Sequence, residues 1–327
     1  LLVDGYGRVA TDLRVSLTDR CNLRCTYCMP PEGLDWLPKP ELLTDDEVVR
    51  LVRLGVERLG ITEVRYTGGE PLLRRNLVDI VARTAALGAQ VSLTTNGVGL
   101  ARLAEPLAEA GLARVNVSLD TVDRDIFKRL AHRDRLPDVL DGLAAAARAG
   151  LWPVKVNAVL MRGVNDHEAV PLLRFCLDQG YELRFIEQMP LDAQHGWRRE
   201  GMITADEILE RLSAAFDLVG EDDETRGSAP AETFVIDGGP AKVGVIGSVT
   251  RPFCGACDRV RLTADGQIRN CLFAREESDL RGPLRTGASD DGLAERWLAA
   301  VAAKRPGHGI DDPSFLQPVR PMSAIGG

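Results

Sequence analysis

The chain has 327 residues, 45% of them hydrophobic, and a formal net charge of −8. Such a length and composition suit one large α/β domain, or a barrel with a small appended module, and the acidic balance argues against a nucleic-acid partner while leaving room for a local basic pocket. No apolar run reaches the ~18 residues of a membrane span and no secretory segment is seen, so no membrane partner is expected; seven cysteines grouped three, one and three point to metal thiolates in a reducing cytoplasm.

The first strand-like run is 13–17, where Leu13-Arg14-Val15-Ser16-Leu17 alternates. Residues 19–31 then read as a loop carrying Cys21, Cys25 and Cys28 at C-x3-C-x2-C spacing. Thr44-Asp45-Asp46-Glu47 is a capping box that opens a helix through Leu59, with Gly60 at its C-terminal side. Further strand-like runs fall at 63–66, 90–94, 114–119, 154–160 and 182–186, with amphipathic helical segments between them. A second capping box, Thr204-Ala205-Asp206-Glu207, predicts a helix to about Phe216. Strict strand–helix alternation argues for a parallel sheet with right-handed crossovers. Six units are two short of a complete barrel. A partial, open (βα)6 TIM-type barrel over 1–218 is therefore expected, with a doubly wound sheet as its rival. Residues 219–240, polar and Gly/Pro-punctuated over 219–232, read as a flexible connection. The pattern changes after 241: 243–249 looks extended, 259–263 alternates, Asp265-Gly266 signals a hairpin, and a helix covers roughly 291–303. Residues 241–327 are expected to form a separate C-terminal lobe.

Thiolates are soft ligands that select iron–sulfur clusters, zinc or Cu(I). Structural zinc closes its shell with four protein ligands, and no fourth cysteine or histidine lies near Cys21, Cys25 and Cys28. On a four-iron cube three thiolates leave one iron open to a small molecule. Cys254, Cys257 and Cys271 form a second triad, again without a fourth ligand, and the hairpin between them lets Cys271 return beside the pair. Arg259 and Arg261, two apart on a strand, project from one face, and their guanidinium forks suit phosphate oxygens. An isolated Arg-x-Arg is usually a solvated face; beside a cluster ligand the binding reading is preferred. Thr67-Gly68-Gly69-Glu70-Pro71 follows the second strand, where two glycines let the backbone approach a ligand, although such a segment alone is more often a tight turn. Cys176 is read as a small core residue, and His132, His167, His195 and His308 as no metal's ligands.

Several motifs carry a resemblance over nearly the whole chain. They are Leu13 to Cys21, the C-x3-C-x-aromatic-C loop, Arg65 with the Gly-Gly-Glu-Pro run, Asn116-Val117-Ser118-Leu119-Asp120, Gly163-Val164-Asn165-Asp166, Pro252 to Phe273, and the closing Met322-Ser323-Ala324-Ile325-Gly326-Gly327. With these the chain resembles the GTP 3′,8-cyclase family of the radical S-adenosylmethionine (SAM) superfamily, which begins molybdenum cofactor biosynthesis. The resemblance implies that Cys21, Cys25 and Cys28 hold a SAM-cleaving [4Fe–4S] cluster, and that Tyr27, Gly69, Ser118 and Met189 contact SAM. It implies a second [4Fe–4S] cluster on Cys254, Cys257 and Cys271, and GTP contacts from Arg14, Arg65, Thr94, Lys155, Arg259, Val260 and Arg261.

By the same resemblance a 5′-deoxyadenosyl radical abstracts H3′ of GTP, the C3′–C8 bond forms, and the product is 3′,8-cyclo-7,8-dihydro-GTP. No side chain is implied as acid or base. The resemblance also implies a tail, Gly326 and Gly327, that reaches the active site. Expected partners are GTP, an external one-electron donor of flavodoxin or ferredoxin type, hand-off to a cyclic pyranopterin monophosphate synthase, and a second copy in a homodimer. Two alternatives stand beside this: a radical SAM peptide modifier with an auxiliary cluster, and a zinc-stabilised binding module without turnover.

Overall fold

The computed structural model describes residues 1–222 and 226–326. Strands β1 (Asp12–Ser16), β2 (Glu63–Thr67), β3 (Gln90–Thr95), β4 (Leu112–Ser118), β5 (Lys155–Val159) and β6 (Glu182–Ile186) lie side by side in chain order, each pairing parallel with the next. Helices α1 (Asp45–Leu59), α2 (Leu77–Ala85), α3 (Leu100–Glu109), α4 (Arg124–Ala131), α5 (Leu136–Arg148) and α6 (Ala169–Gln179) supply the crossovers. The six expected strand–helix units are present in the expected order.

Local chemistry explains the ends of these elements. Thr44 caps α1 by accepting from the Glu47 amide at 3.2 Å, while the Glu47 carboxylate accepts from the Thr44 amide at 2.8 Å. Gly60 closes α1 at φ +85°, in the left-handed region that glycine enters without a Cβ clash. Thr204 caps α7 (Ala205–Ser213) in the same way, and that helix stops three residues before the expected Phe216.

The segment after 241 differs from expectation. Instead of standing apart it joins the same sheet at both edges: β9 (Lys242–Ile246) pairs parallel with β6, and β10 (Arg259–Leu262) pairs parallel with β1. The physical reason is edge satisfaction. A six-stranded partial barrel leaves two rows of backbone N–H and C=O groups unpaired, and these two strands take them up. Part of the supposed flexible connection is also regular: β8 (Glu232–Ile236) lies antiparallel between β9 and β7 (Leu218–Gly220), its Thr-Phe-Val-Ile run winning over its polar flanks. At the other edge β11 (Gln267–Arg269) and β12 (Ser278–Asp279) follow β10 antiparallel, making twelve strands among the described residues.

Alternation along each strand separates core from cavity. Leu13, Val15, Val64, Tyr66, Val91, Leu93, Val115 and Val117 are buried under the helices. Their neighbours face the other way. Arg14 is in register with Arg65 on one side and Arg261 on the other, so three arginines make one row. A second row runs Ser118, Asn157, Arg184 and Gly244. A single cavity of about 280 Å³ is lined by residues of all eight parallel strands, which a flat sheet cannot do; the sheet curls around it. No helix among the described residues is long and apolar enough to cross a membrane.

Candidate active site

The first cysteine triad sits on the loop after β1. The Cys28 amide donates to the Cys25 carbonyl at 2.9 Å, which folds the C-x-x-C part into a tight turn. Arg24 stiffens the loop by donating to the Cys21 and Leu23 carbonyls at 2.7 and 2.8 Å, with its guanidinium over the Trp36 ring. The amides of Arg24 and Thr26 tie it to the end of α4 through Ala131 and Leu130. All three thiols are free and none is fully buried as a residue. Burial, with Asp120 and Cys28 next, pushes Cys25 well above the usual thiol range; burial and Cys21 push Cys28 to about 12. A bare thiolate is thus disfavoured here, and since no three such side chains among the described residues close around a single metal ion, a positively charged polynuclear cluster is the group that would supply the missing charge. The donor set fits a thiolate-bound cluster.

Behind that loop, Gly69 lies against the Asp19 and Arg20 carbonyls, where any Cβ would collide, and its amide donates to Thr18 at 2.7 Å. Glu70 is buried beneath it and accepts from the Leu72 amide, the Thr95 hydroxyl and the Asn96 amide at 2.9, 2.7 and 2.7 Å. It ties the loops after β2 and β3 together. Tyr27 donates to Asp120 at 2.8 Å, and Asp120 accepts in turn from the Val159 amide at 2.8 Å. The cavity is lined by Tyr27, Ser118 and Met189 of the expected SAM contacts; Gly69 is not among its lining residues.

The same cavity is lined by Cys254, Cys257 and Cys271, and by Arg14, Arg65, Thr94, Arg259 and Arg261. Cys254 to Ala256 form one 3-10 turn, and Cys271 follows β11, which returns antiparallel beside β10. Burial pushes the Cys257 thiol up, but Arg259 and Lys304 outweigh it and hold it at about 7. Burial, then the Arg14 and Arg259 charges, bring Arg261 down to about 9, and burial with Arg14 brings Arg65 well below its usual range. Arg14 Nε, Arg259 Nη2 and Arg261 Nε are buried without a hydrogen-bond partner. Buried guanidinium donors with nothing to donate to are costly unless an anion satisfies them. The cation row therefore has the chemistry of a polyphosphate site.

Two expected GTP contacts stand elsewhere. The Val260 side chain is buried in the main core on the opposite face of β10. Lys155, at the start of β5, pairs with Glu182 at 3.1 Å and is not among the lining residues. Gly326 approaches the strand ends: a Cβ there would meet Thr67 Cγ2 at 2.9 Å and Ser16 Cβ at 3.0 Å. Gly327 lies outside the described residues.

Sequence reasoning missed Asn157, Arg184 and His308, which also line the cavity. Arg184 donates to Asn157 Oδ1 at 3.1 Å and lies across Gly244, where a Cβ would meet its Cγ at 2.7 Å. Its signal was present in the alternation of Glu182-Leu183-Arg184-Phe185-Ile186, since Leu183 and Phe185 claim the core face. Cys176, by contrast, is a buried core residue as read.

The Radical SAM superfamily model matches residues 15–176, and the Molybdenum Cofactor Synthesis C model matches residues 181–310. The chain is 67% identical to a GTP 3′,8-cyclase of Streptomyces coelicolor, over 100% of this chain and 96% of that one. It is 62% identical to a GTP 3′,8-cyclase of Mycolicibacterium smegmatis, over 100% of this chain and 92% of the relative. Among solved structures, Streptococcus suis SuiB bound to S-adenosylmethionine superposes with a TM-score of 0.64 at 13% identity, covering 93% of this chain and 68% of that one, a likeness of fold. On the near-full-length identity to these cyclases, the chain belongs to the GTP 3′,8-cyclase family of the radical SAM superfamily.

Proposed function

We propose that the protein is a radical SAM cyclase that converts GTP to 3′,8-cyclo-7,8-dihydro-GTP, the first step of molybdenum cofactor biosynthesis. The observation that carries this reading is the shared cavity: Tyr27, Ser118 and Met189 line it together with the second cysteine triad and the arginine row. Membership of the superfamily brings a [4Fe–4S] cluster and SAM binding. Cys21, Cys25 and Cys28 hold that cluster, and Cys254, Cys257 and Cys271 hold a second one. The bound cluster and SAM supply the 5′-deoxyadenosyl radical that abstracts H3′ of GTP.

The chain's own residues bind, orient and exclude. Arg14, Arg65, Arg259 and Arg261 receive the triphosphate, which satisfies the buried donors of Arg14, Arg259 and Arg261 and relieves the mutual repulsion of the row. Thr94 adds a hydroxyl, and Lys155, paired with Glu182 outside the cavity lining, adds only its positive charge at longer range. Val260 contributes backbone, its side chain being in the core. Asp120 fixes the Tyr27 hydroxyl, so the ring on the cluster loop keeps one orientation beside SAM. Gly69 keeps the loop close enough for main-chain contact with the methionyl end. Met322 lines the cavity from the C-terminal segment, so Gly326 follows beside it and helps exclude water, and a role for Gly327 rests on the family resemblance alone. The partners follow: an external one-electron donor, a downstream pyranopterin-forming synthase, and a second copy in a homodimer, all in the cytoplasm.

The test is anaerobic incubation of the reconstituted protein with SAM, a reductant and GTP, with chromatographic separation and NMR or tandem mass analysis of the nucleotide, because the product is an isomer of GTP. A product of unchanged mass but new connectivity after reduction and proton uptake is not enough by itself; 5′-deoxyadenosine must form in step with it. Unchanged GTP beside loaded clusters and uncoupled SAM cleavage would overturn the substrate assignment.

A further inference from the structure

Lys304 stands two residues beyond the helix Asp290–Ala302 and is 5% exposed. Its ammonium donates to the Cys257 carbonyl at 3.1 Å, to the Arg259 carbonyl at 2.9 Å and to Cys257 Sγ at 3.3 Å. An ammonium has three N–H bonds, and all three are used. No carboxylate pairs with it among the described residues. A buried cation without a counter-ion is costly, and of its three partners only the sulfur can carry a negative charge. The two carbonyls alone would make Lys304 a clamp that ties the helix end to β10; the sulfur is what a clamp does not need.

We infer that Lys304 is a positioning residue that raises the reduction potential of the C-terminal iron–sulfur site by donating to a ligand sulfur. This rests on the second cluster proposed above. Reduction adds negative charge that the ligand sulfurs share, so a cation hydrogen-bonded to one of them favours the reduced form. Arg8 shows the contrast: it donates at 2.7 Å to the carbonyl of Cys254, not to sulfur, and so holds the loop without the same leverage.

The experiment is a redox titration followed by electron paramagnetic resonance on the full chain with iron and sulfide assayed first. Added SAM identifies the first cluster by its spectral change. Lys304→Met keeps the apolar stem and removes every N–H; Lys304→Gln keeps a neutral amide donor. The expected result is a second-site midpoint moved negative in the Met variant by a tenfold or greater change in the reduced-to-oxidised ratio, about 59 mV for one electron. The Gln variant should move less, and the first-site midpoint should stay. Unchanged second-site midpoints in both loaded variants overturn the inference and leave Lys304 a clamp. Loss of the second cluster from both variants, with the wild type fully loaded, overturns it in the same sense. A wild type with only one cluster overturns the reading beneath it, which the initial iron assay reveals separately.

Discussion

Arg261 concentrates the electrostatic problem of this site. It is 7% exposed, flanked in register by Arg14, and close to Arg259, whose guanidinium stacks 4.8 Å from the Phe253 ring centroid. Three like charges held this way are tolerable because an anion completes them. Arg259→Ala and Arg261→Ala should each remove a charge-assisted contact of about 1.5–3 kcal/mol, weakening GTP binding roughly ten- to a hundredfold with iron content unchanged. Lysine at either position should restore it only in part, since a point charge lacks the planar fork. Equilibrium GTP titration of the anaerobic proteins checks this, and wild-type affinity in both alanine variants would return the pair to a structural role. A second residue-level outcome concerns the cysteines. Cys25→Ser should halve the iron and abolish 5′-deoxyadenosine, whereas Cys257→Ser should halve the iron yet keep part of the SAM cleavage. Persistent 5′-deoxyadenosine in the Cys25 variant would contradict that division. Much of this site was legible beforehand, because thiolate spacing and an Arg-x-Arg on a strand are local signals. Arg184 was not singled out, since a lone arginine on a strand becomes a site residue only through the register of its neighbours.

At the scale of elements, the C-terminal segment is held like a latch. Arg320 grips Asp265, at the β10–β11 turn, through two bonds of 3.0 and 2.7 Å, and reaches Glu277 at 2.7 Å. Glu277 is shared with Arg269, which is buried on β11. Beyond this anchor the helix Met322–Ile325 packs Ile325 beside Leu191 and Phe273, and the Met322 amide donates to the Leu191 carbonyl at 2.9 Å. Gly326 then adopts φ +89° with Thr67 and Ser16 against the position a Cβ would take. Gly326→Ala should therefore suffer both strain of about 1–3 kcal/mol and contact, displacing the tail. Product formation should drop severely while iron, sulfide and SAM binding stay at wild-type levels. Arg320→Ala should loosen the same segment from its base, seen as faster amide exchange over Met322–Ile325. Full product yield from the Gly326 variant would show the tail to be a bystander. The two capping boxes announced α1 and α7 because capping is chemistry within four residues. The β8 strand was hidden by its polar, Gly/Pro-bearing surroundings, and its pairing with β9 depends on partners outside any local window.

The whole molecule hangs on pairings that no local pattern reports. β1 and β10 are parallel neighbours although about 245 residues separate them, and β6 meets β9 across α7 and the β7–β8 hairpin. Alternation indicated that 259–263 was a strand, but not which edge it would cover; that choice is made by the unpaired backbone of β1 and the apolar residues beneath it. One core cluster accordingly mixes Leu13, Val15 and Leu51 with Val260, Leu262, Ile268, Leu293 and Trp297. Trp297 packs against Gly55 of α1, and α1 is further tied to the C-terminal helices by Arg50–Asp290, Arg58–Asp291 and Glu47–Arg285 ion pairs. These exposed pairs contribute little individually, so the shared core and the β1–β10 ladder must hold the two parts together. A fragment of residues 1–218 is then the decisive comparison. If the barrel units stood apart from the rest, it would melt cooperatively on its own. With β10 and β9 gone, however, both barrel edges regain unpaired N–H and C=O rows, and the apolar surfaces under Val260, Leu262 and Trp297 open to water. The fragment should bind a hydrophobic dye, associate through its exposed edges, and lack a sharp thermal transition by circular dichroism. A monomeric fragment with a cooperative transition would show that the C-terminal segment decorates the barrel and does not complete it.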